Sequence, residues 1–199
     1  MKRVPEPEIM DDLAEVVAYD ELVSDIQGEI LDRCFAKSLA NLQHSDTHDR
    51  YRLLDVCTGP ARIPVFLTQL TDRYDICAMD ISKNMIDVAV KNKQLNSASY
   101  HLVQADAHHL PFPDGHFDVA SCHASLHHFK DAVPVLKEIN RVTKPKGSIM
   151  IRDLRRPVNM MVLRLYLMIF GAQYNQTQKK LYNDSLGGIH TGRIAFDGV

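Results

Sequence analysis

Two apolar runs of this chain each carry an aspartate near their carboxyl end. The first, Leu53-Leu54-Asp55-Val56, is followed by Gly59, and the second, Ala78-Met79-Asp80, places its aspartate 25 positions after Asp55. Such runs are typical of buried parallel strands, and open α/β sheets bind ligands beyond the carboxyl ends of their strands. Gly59 would let the backbone turn tightly beside a ligand, and Asp80 would accept hydrogen bonds from two ribose hydroxyls. Either aspartate alone is explained as a strand end, but together they predict a nucleoside site.

From residue 52 onwards, the pattern of apolar residues predicts strands and helices in alternation. Ser82 is a candidate N-cap, and Pro64 and Pro134 stand where a first helical turn tolerates proline. Apolar positions at helical spacing predict two more helices, at 11–20 and 22–42, which cover the ligand side of the sheet. The alternation predicts a doubly wound, Rossmann-like α/β fold with a mostly parallel sheet. Strands are predicted at 52–57, 75–80, 100–104, 117–122 and 148–153, and helices at 63–70, 83–94 and 131–142.

The turn after the first run lacks two common phosphate-binding patterns. A dinucleotide site uses G-x-G-x-x-G, whereas Cys57 and Arg62 stand at its outer glycine positions. A nucleotide-dependent oxidoreductase is therefore only a minor alternative. The P-loop pattern G-x-x-x-x-G-K-S/T does not occur in the chain either. A ligand with one ribose, no phosphate and a charged amino-acid tail fits better.

Five segments, in this order along the chain, resemble the motifs of class I S-adenosylmethionine (SAM) dependent methyltransferases of the type 11 small-molecule group. The run from Leu53 to Pro64 is similar to the first motif of that family, in the form LDVGTGPGDIP. The resemblance covers about residues 4–186. Each segment alone is weak evidence for the family, but the five segments in this order are specific to it. The other four segments are 79–82 for the ribose, 103–107 for the adenine side, 110–118 before strand four and 136–147 before strand five.

The resemblance implies SAM as the cofactor and assigns roles to the matching positions. Asp55 would bind the methionine amino group, directly or through water, while Asp80 would bind the ribose. Asp106 would reach the adenine amino group, with a solvated loop carboxylate as the alternative interpretation of this residue. The implied cofactor-binding set also contains Cys57, Gly59, Ile81 and Ala107.

Three positions depart from the family pattern. Cys57, Ala61 and Lys146 stand where the family usually has glycine. Each adds a side chain where the backbone approaches the cofactor or turns with positive φ. Weakened cofactor binding is therefore expected.

The acceptor side is marked by histidines. The segment 122–128, Cys-His-Ala-Ser-Leu-His-His, follows strand four, which opens onto the acceptor pocket in the family that the chain resembles. His123 and His127 are the candidate catalytic bases, although structural histidines are commoner. Their i, i+4 spacing also suits a metal pair, but no third ligand stands at a fixed spacing, so no metal is predicted. Arg152, at the end of strand five, suits either an anionic acceptor or a structural ion pair.

The end of the chain differs from the family pattern, which continues after strand five through a further helix and an antiparallel strand pair. Here an apolar helix is predicted at 158–170, followed by a Gly-rich tail with at most one short strand near 193–196. The C-terminal strand pair is therefore interpreted as truncated. Strand five would be an exposed edge, which predicts pairing with a second copy or another partner. The chain is interpreted as one domain, 1–199, with N-terminal helices (1–50), a cofactor-binding core (51–157) and an apolar helix and tail (158–199).

Charge and cysteine usage narrow the class of partner and the compartment. The formal net charge is -2, without a basic stripe, so a small-molecule acceptor is expected rather than nucleic acid. Cys34, Cys57, Cys77 and Cys122 show no C-x-x-C spacing and are interpreted as buried free thiols of a reducing compartment. The N-terminus does not resemble a signal peptide, and the apolar run 160–170 is about half the ~20 residues that span a bilayer. A cytoplasmic protein without membrane contact is predicted.

The function that these patterns predict is methyl transfer from SAM to an unidentified small molecule. Such a displacement depends mainly on holding donor and acceptor in line, with a base only where the acceptor carries a proton. The alternative is a catalytically impaired, truncated module of the same fold that acts by binding a partner or by regulation.

Overall fold

The computed structural model describes residues 9–24, 26–44 and 49–153. The helix predicted at 158–170, the Gly-rich tail and the strand predicted near 193–196 lie outside these residues. The helices are α1 (Leu13–Val23), α2 (Ile26–Ala40), α3 (Arg62–Leu70), α4 (Lys83–Leu95) and α5 (Val133–Val142). The strands are β1 (Tyr51–Val56), β2 (Tyr74–Asp80), β3 (His101–Gln104), β4 (Phe117–His123) and β5 (Thr143–Arg152), with a short 3₁₀ helix (Leu126–His128) after β4.

The five described strands form one sheet in the order β3-β2-β1-β4-β5. Every neighbouring pair is parallel. The strand order reverses between β1 and β4, and ligands of open α/β sheets bind beyond the carboxyl ends of the strands at this point. The predicted Rossmann-like parallel sheet is confirmed.

Both faces of the sheet are covered by helices. Leu53 and Leu54 are each fully buried, but successive side chains of a strand point to opposite faces, so they belong to different core clusters. Leu53 packs in a cluster with residues of α2, α3 and α4, whereas Leu54 packs in one with residues of α5. This two-sided burial explains why the strands are apolar runs rather than alternating ones.

The break between the two N-terminal helices lies at Ser24, so the prediction of a break at residue 21 was wrong. The carbonyl of Asp20 accepts hydrogen bonds from the backbone N–H of Ser24 at 3.1 Å and from its hydroxyl at 2.6 Å. The first is the last regular bond of α1, and the second is a serine hydroxyl that bonds back to the helix. At its other end, Asp12 caps α1 by accepting from Glu15 N at 3.0 Å.

Strand β5 begins at Thr143, five residues before the start predicted at 148. The pairing of Phe117 with Thr143 is followed by that of Val119 with Ser148, so four residues of β5 stand outside the ladder as a bulge. Pro145 lies in this bulge because it has no N–H to donate to a ladder. Lys146 is exposed there and is not among the described non-glycine residues with positive φ, so the strain expected at this position is absent.

Gly147, rather than position 146, is the sterically restricted residue of the bulge. A Cβ at Gly147 would lie 2.8 Å from the carbonyl oxygen of Asp118 and 2.8 Å from Cγ2 of Thr143. We expect Gly147→Ala to lower the free energy of unfolding by about 1–3 kcal/mol, the usual cost of overpacking. Urea unfolding measures this change. The exposed neighbour Lys146→Ala is the control, expected to stay within about 0.5 kcal/mol of the natural chain, and equal values for the two variants would contradict the prediction.

The cysteines are free, as predicted, but they are not all buried. Cys122 in β4 is buried, Cys57 and Cys77 are partly exposed, and Cys34 is exposed. The prediction was wrong for Cys34 because it lies on the outward side of α2.

Candidate functional site

A cleft of about 170 Å³, partly open to solvent, lies at the carboxyl ends of the strands. Its walls come from the turns after β1, β2, β3 and β4, and from residues of α1 and the segment before it, so α1 covers the ligand side as predicted. Six of the seven predicted cofactor residues line this cleft, namely Cys57, Gly59, Asp80, Ile81, Asp106 and Ala107.

Asp80, the last residue of β2, joins the turns after β1 and β2. Its Oδ2 accepts a hydrogen bond from Gly59 N at 2.8 Å, and its Oδ1 accepts one from Ser82 N at 3.0 Å. Burial raises the pKa of this carboxyl, and the hydrogen bonds from Ser82 and Gly59 oppose that shift. An ionised carboxylate has about four lone-pair sites, so both oxygens can still accept bonds from a ligand.

The turn after β1 is held in a left-handed conformation at three positions. The φ angles are 55° at Cys57, 53° at Gly59 and 57° at Ala61, which confirms that two of the positions where the family has glycine require positive φ. A left-handed conformation costs a non-glycine residue about 1–2 kcal/mol. The turn is closed by hydrogen bonds from Thr58 N to the carbonyl of Met79 at 2.8 Å and from Ala61 N to the carbonyl of Thr58 at 3.0 Å.

Asp55 does not line the cleft but lies buried behind the turn. Its carboxylate accepts hydrogen bonds from the hydroxyls of Thr58 at 2.6 Å and Ser121 at 2.7 Å. Burial raises the pKa of Asp55 to about 6, against the opposing effect of these two hydroxyls. The side chain therefore connects β1, its turn and β4 beneath the cleft, and its predicted contact with the methionine amino group stays a prediction.

Asp106, in the loop after β3, lies in the cleft with His108 beside it. Oδ1 of Asp106 lies 2.8 Å from His108 N and 3.0 Å from the ring Nδ1 of His108. His109 is exposed, but His108 lines the cleft because its ring turns back onto Asp106.

The two histidines predicted as bases lie outside the described cleft lining. The ring of His123 packs at 4.6 Å from Phe35, and burial, followed by the charge of Arg152, lowers the pKa of His123 to about 4. His127 Nδ1 lies 2.6 Å from Oδ1 of Asp153, and its side chain is 3% exposed. His123 therefore packs against an aromatic ring and His127 contacts a carboxylate. The catalytic role of both histidines stays a prediction.

The sequence analysis assigned no role to several cleft residues, among them Tyr19, His128 and Phe129. Tyr19 of α1 lies beside Gly59, and His128 and Phe129 follow β4. A charge on His128 lowers the pKa of Asp80, which places this histidine near the predicted ribose end. The histidine-rich segment was the signal, but the 3₁₀ turn decides which of its rings faces the cleft.

Metal and membrane features were searched across residues 9–24, 26–44 and 49–153. That part of the chain holds no group of three or more His, Cys, Asp or Glu side chains arranged to bind a metal ion. None of its helices has the length and apolar character needed to cross a bilayer.

The parallel sheet with its reversal between β1 and β4, and a buried aspartate at the end of β2, define an α/β fold of the class that binds a nucleoside beyond the strand ends. Residues 54–151 match the family model described as the methyltransferase domain. Over these residues, just under half of its length, the chain is similar to the class I SAM-dependent methyltransferases.

Named relatives and solved structures agree with this assignment. A demethylmenaquinone methyltransferase of Staphylococcus haemolyticus is 33% identical over 120 residues, which is 60% of this chain and 50% of the relative. A Methanococcus maripaludis protein assigned to the SAM-dependent methyltransferases has a TM-score of 0.63 at 21% identity, covering 94% of this chain and 87% of its own. The plantazolicin methyltransferase BpumL, solved with S-adenosylhomocysteine (SAH), has a TM-score of 0.62 at 15% identity, covering 90% and 70%.

These matches differ in how much of each relative they cover and in sequence identity. The chain spans about half the length of the curated relatives that it matches. The two solved structures share less than 25% of their residues with it, and so they show the fold.

Proposed function

We propose that this protein binds SAM in the cleft and transfers its methyl group to a small-molecule acceptor. The observation that carries the proposal is the buried Asp80 carboxylate, which is bonded to Gly59 N at the reversal of the strand order. Charge-assisted hydrogen bonds from the two ribose hydroxyls to this carboxylate would fix the nucleoside. The sulfonium would then supply the methyl group, and the protein would act by holding donor and acceptor in line.

The other cleft residues support the same orientation of the cofactor. Asp106 lies after β3, on the opposite side of β2 from the β1 turn, where an adenine amino group would reach it. The turn at Cys57 and Gly59 would face the methionine end. Asp55 would act from beneath the turn, through the bonds that it accepts from Thr58 and Ser121.

A small-molecule acceptor is supported by the relatives, several of which are named for demethylmenaquinone. We propose the same general class of acceptor here, without a named compound. A cytoplasmic location is supported by four cysteines that are all free, as in reducing compartments. Pairing of a second copy along β5, the last described strand of the sheet, remains part of the proposal.

The direct test is calorimetric titration of the full chain with SAH and SAM, followed by an assay for methyl transfer. We expect saturable binding of both compounds and a mass increase of one methyl group on a quinol or phenol acceptor offered with SAM. A folded sample that binds neither compound would contradict the proposal.

A second candidate function is a cofactor-binding module without transfer. The observation in its favour is that neither His123 nor His127 lies in the described cleft lining. Binding of SAH without methylation of any acceptor in a broad small-molecule panel would favour this candidate.

A further inference from the structure

His108 supplies two hydrogen bonds to the Asp106 carboxylate, and both end on the same oxygen. The backbone N of His108 and its ring Nδ1 lie 2.8 Å and 3.0 Å from Oδ1 of Asp106. An ionised carboxylate only accepts hydrogen bonds, so Nδ1 carries the hydrogen and donates it. Among residues 9–24, 26–44 and 49–153, no hydrogen bond is directed to Oδ2 of Asp106.

The ring of His108 is held from a second side. It makes an edge contact with Phe129, with the ring centroids 5.2 Å apart. The side chain is 28% exposed, and Phe129 and Asp106 are both residues of the cleft. Rotation of the imidazole would break both contacts, so the ring and the carboxylate keep one mutual orientation.

The contacts of His108 also affect the charge of Asp106. Burial acts to raise the pKa of Asp106, but the backbone and ring hydrogen bonds from His108, together with the charges of His108 and His109, outweigh it and leave the pKa below its ordinary value. Asp106 is therefore an obligate acceptor near neutral pH. An obligate acceptor attracts the 6-amino group of adenine, which donates, and repels the 6-oxo group of hypoxanthine, which accepts.

We propose that His108 is a positioning residue for cofactor specificity, which holds Oδ2 of Asp106 towards the purine 6-position so that the cleft selects a 6-amino over a 6-oxo purine. The inference rests on the proposed function, because it requires the adenine to lie against Asp106. The action of His108 is through Asp106 and not through contact with the reacting atoms. His109, the exposed neighbour, acts on Asp106 only through its charge and makes no side-chain hydrogen bond to it among the described residues.

The test compares calorimetric affinities of the full chain for SAH and for its 6-oxo analogue, S-inosylhomocysteine. We expect the natural chain to prefer SAH, and His108→Ala to reduce that preference about fivefold, which corresponds to loss of one hydrogen bond. His108→Asn should restore the preference because its side-chain amide can donate in place of Nδ1. His109→Ala is the matched control, expected to keep the natural ratio.

The outcomes separate this inference from the proposed function. An unchanged ratio in His108→Ala, in a chain that binds SAH, would overturn the role of His108 and leave the proposed function standing. Equal weakening of both compounds, without recovery in His108→Asn, would indicate a structural role and would also overturn the inference. If the folded natural chain bound neither compound, the proposed function would fail and the inference with it.

Discussion

Asp80→Ala is expected to remove detectable SAH binding at concentrations that saturate the natural chain. Two ribose hydroxyls donating to an ionised carboxylate are worth about 1.5–3 kcal/mol each, so their loss weakens binding by about 100-fold or more. The substitution also removes the hydrogen bond that Gly59 N donates to Asp80 at 2.8 Å. The turn that faces the methionine end is therefore loosened. Calorimetric titration of both chains measures the effect.

A matched control for Asp80 lies in the same strand. Asp75 is exposed on β2 and forms an ion pair with Arg50 at 3.1 Å, away from the cleft lining. Asp75→Ala should therefore bind SAH as the natural chain does. If Asp80→Ala stayed folded and kept its affinity, the ribose contact, and the cofactor site built on it, would be wrong.

Asp55 is expected to lower the stability of the protein as the pH rises from about 4 to about 6. Its pKa is raised from 3.8 to about 6 in the folded chain, mainly by burial. Well below pH 4 the proton is bound in both the folded and the unfolded state, whereas above pH 6 the folded state must hold a buried charge. The difference in proton binding therefore removes about 2 kcal/mol of folding free energy as the pH rises through this window.

Asp55→Asn isolates this contribution, because an amide of the same shape cannot ionise. The amide can still accept from Thr58, and its NH₂ group can donate to the hydroxyl of Ser121. We expect the free energy of unfolding of Asp55→Asn, measured relative to the natural chain, to increase by about 2 kcal/mol between pH 4 and pH 7. Parallel pH profiles for the two chains, measured by urea unfolding, would show that Asp55 does not titrate in this range.

The elements of the fold that were correctly predicted are those with local signals. Ser82 caps α4, accepting from Met85 N at 3.1 Å, and Pro64 and Pro134 lie in the first turns of α3 and α5. The boundary that was missed by the widest margin, the start of β5, depends on a bulge whose register is set by pairing with β4. Register depends on the neighbouring strand, and no pattern within residues 143–152 encodes it.

The residues of the candidate site also fall into those that local sequence predicts and those that it does not. Asp80 and Gly59 follow apolar runs directly, so their place at the strand ends could be predicted from the chain. The histidines could not be assigned, because His127 and His128 are adjacent in sequence and only the second lines the cleft. His127 instead lies 2.6 Å from Asp153, a partner 26 positions away that no local spacing predicts.

Local pattern was therefore sufficient for the parallel α/β sheet, the turn at Gly59 and the carboxylate at the end of β2, because apolar runs, glycine and capping residues act over a few positions. Packing of distant elements was needed to enclose Asp55, turn His108 onto Asp106 and direct His123 away from the cleft. Burial and hydrogen bonding depend on which strands and helices meet, and those contacts are formed only when the whole chain folds.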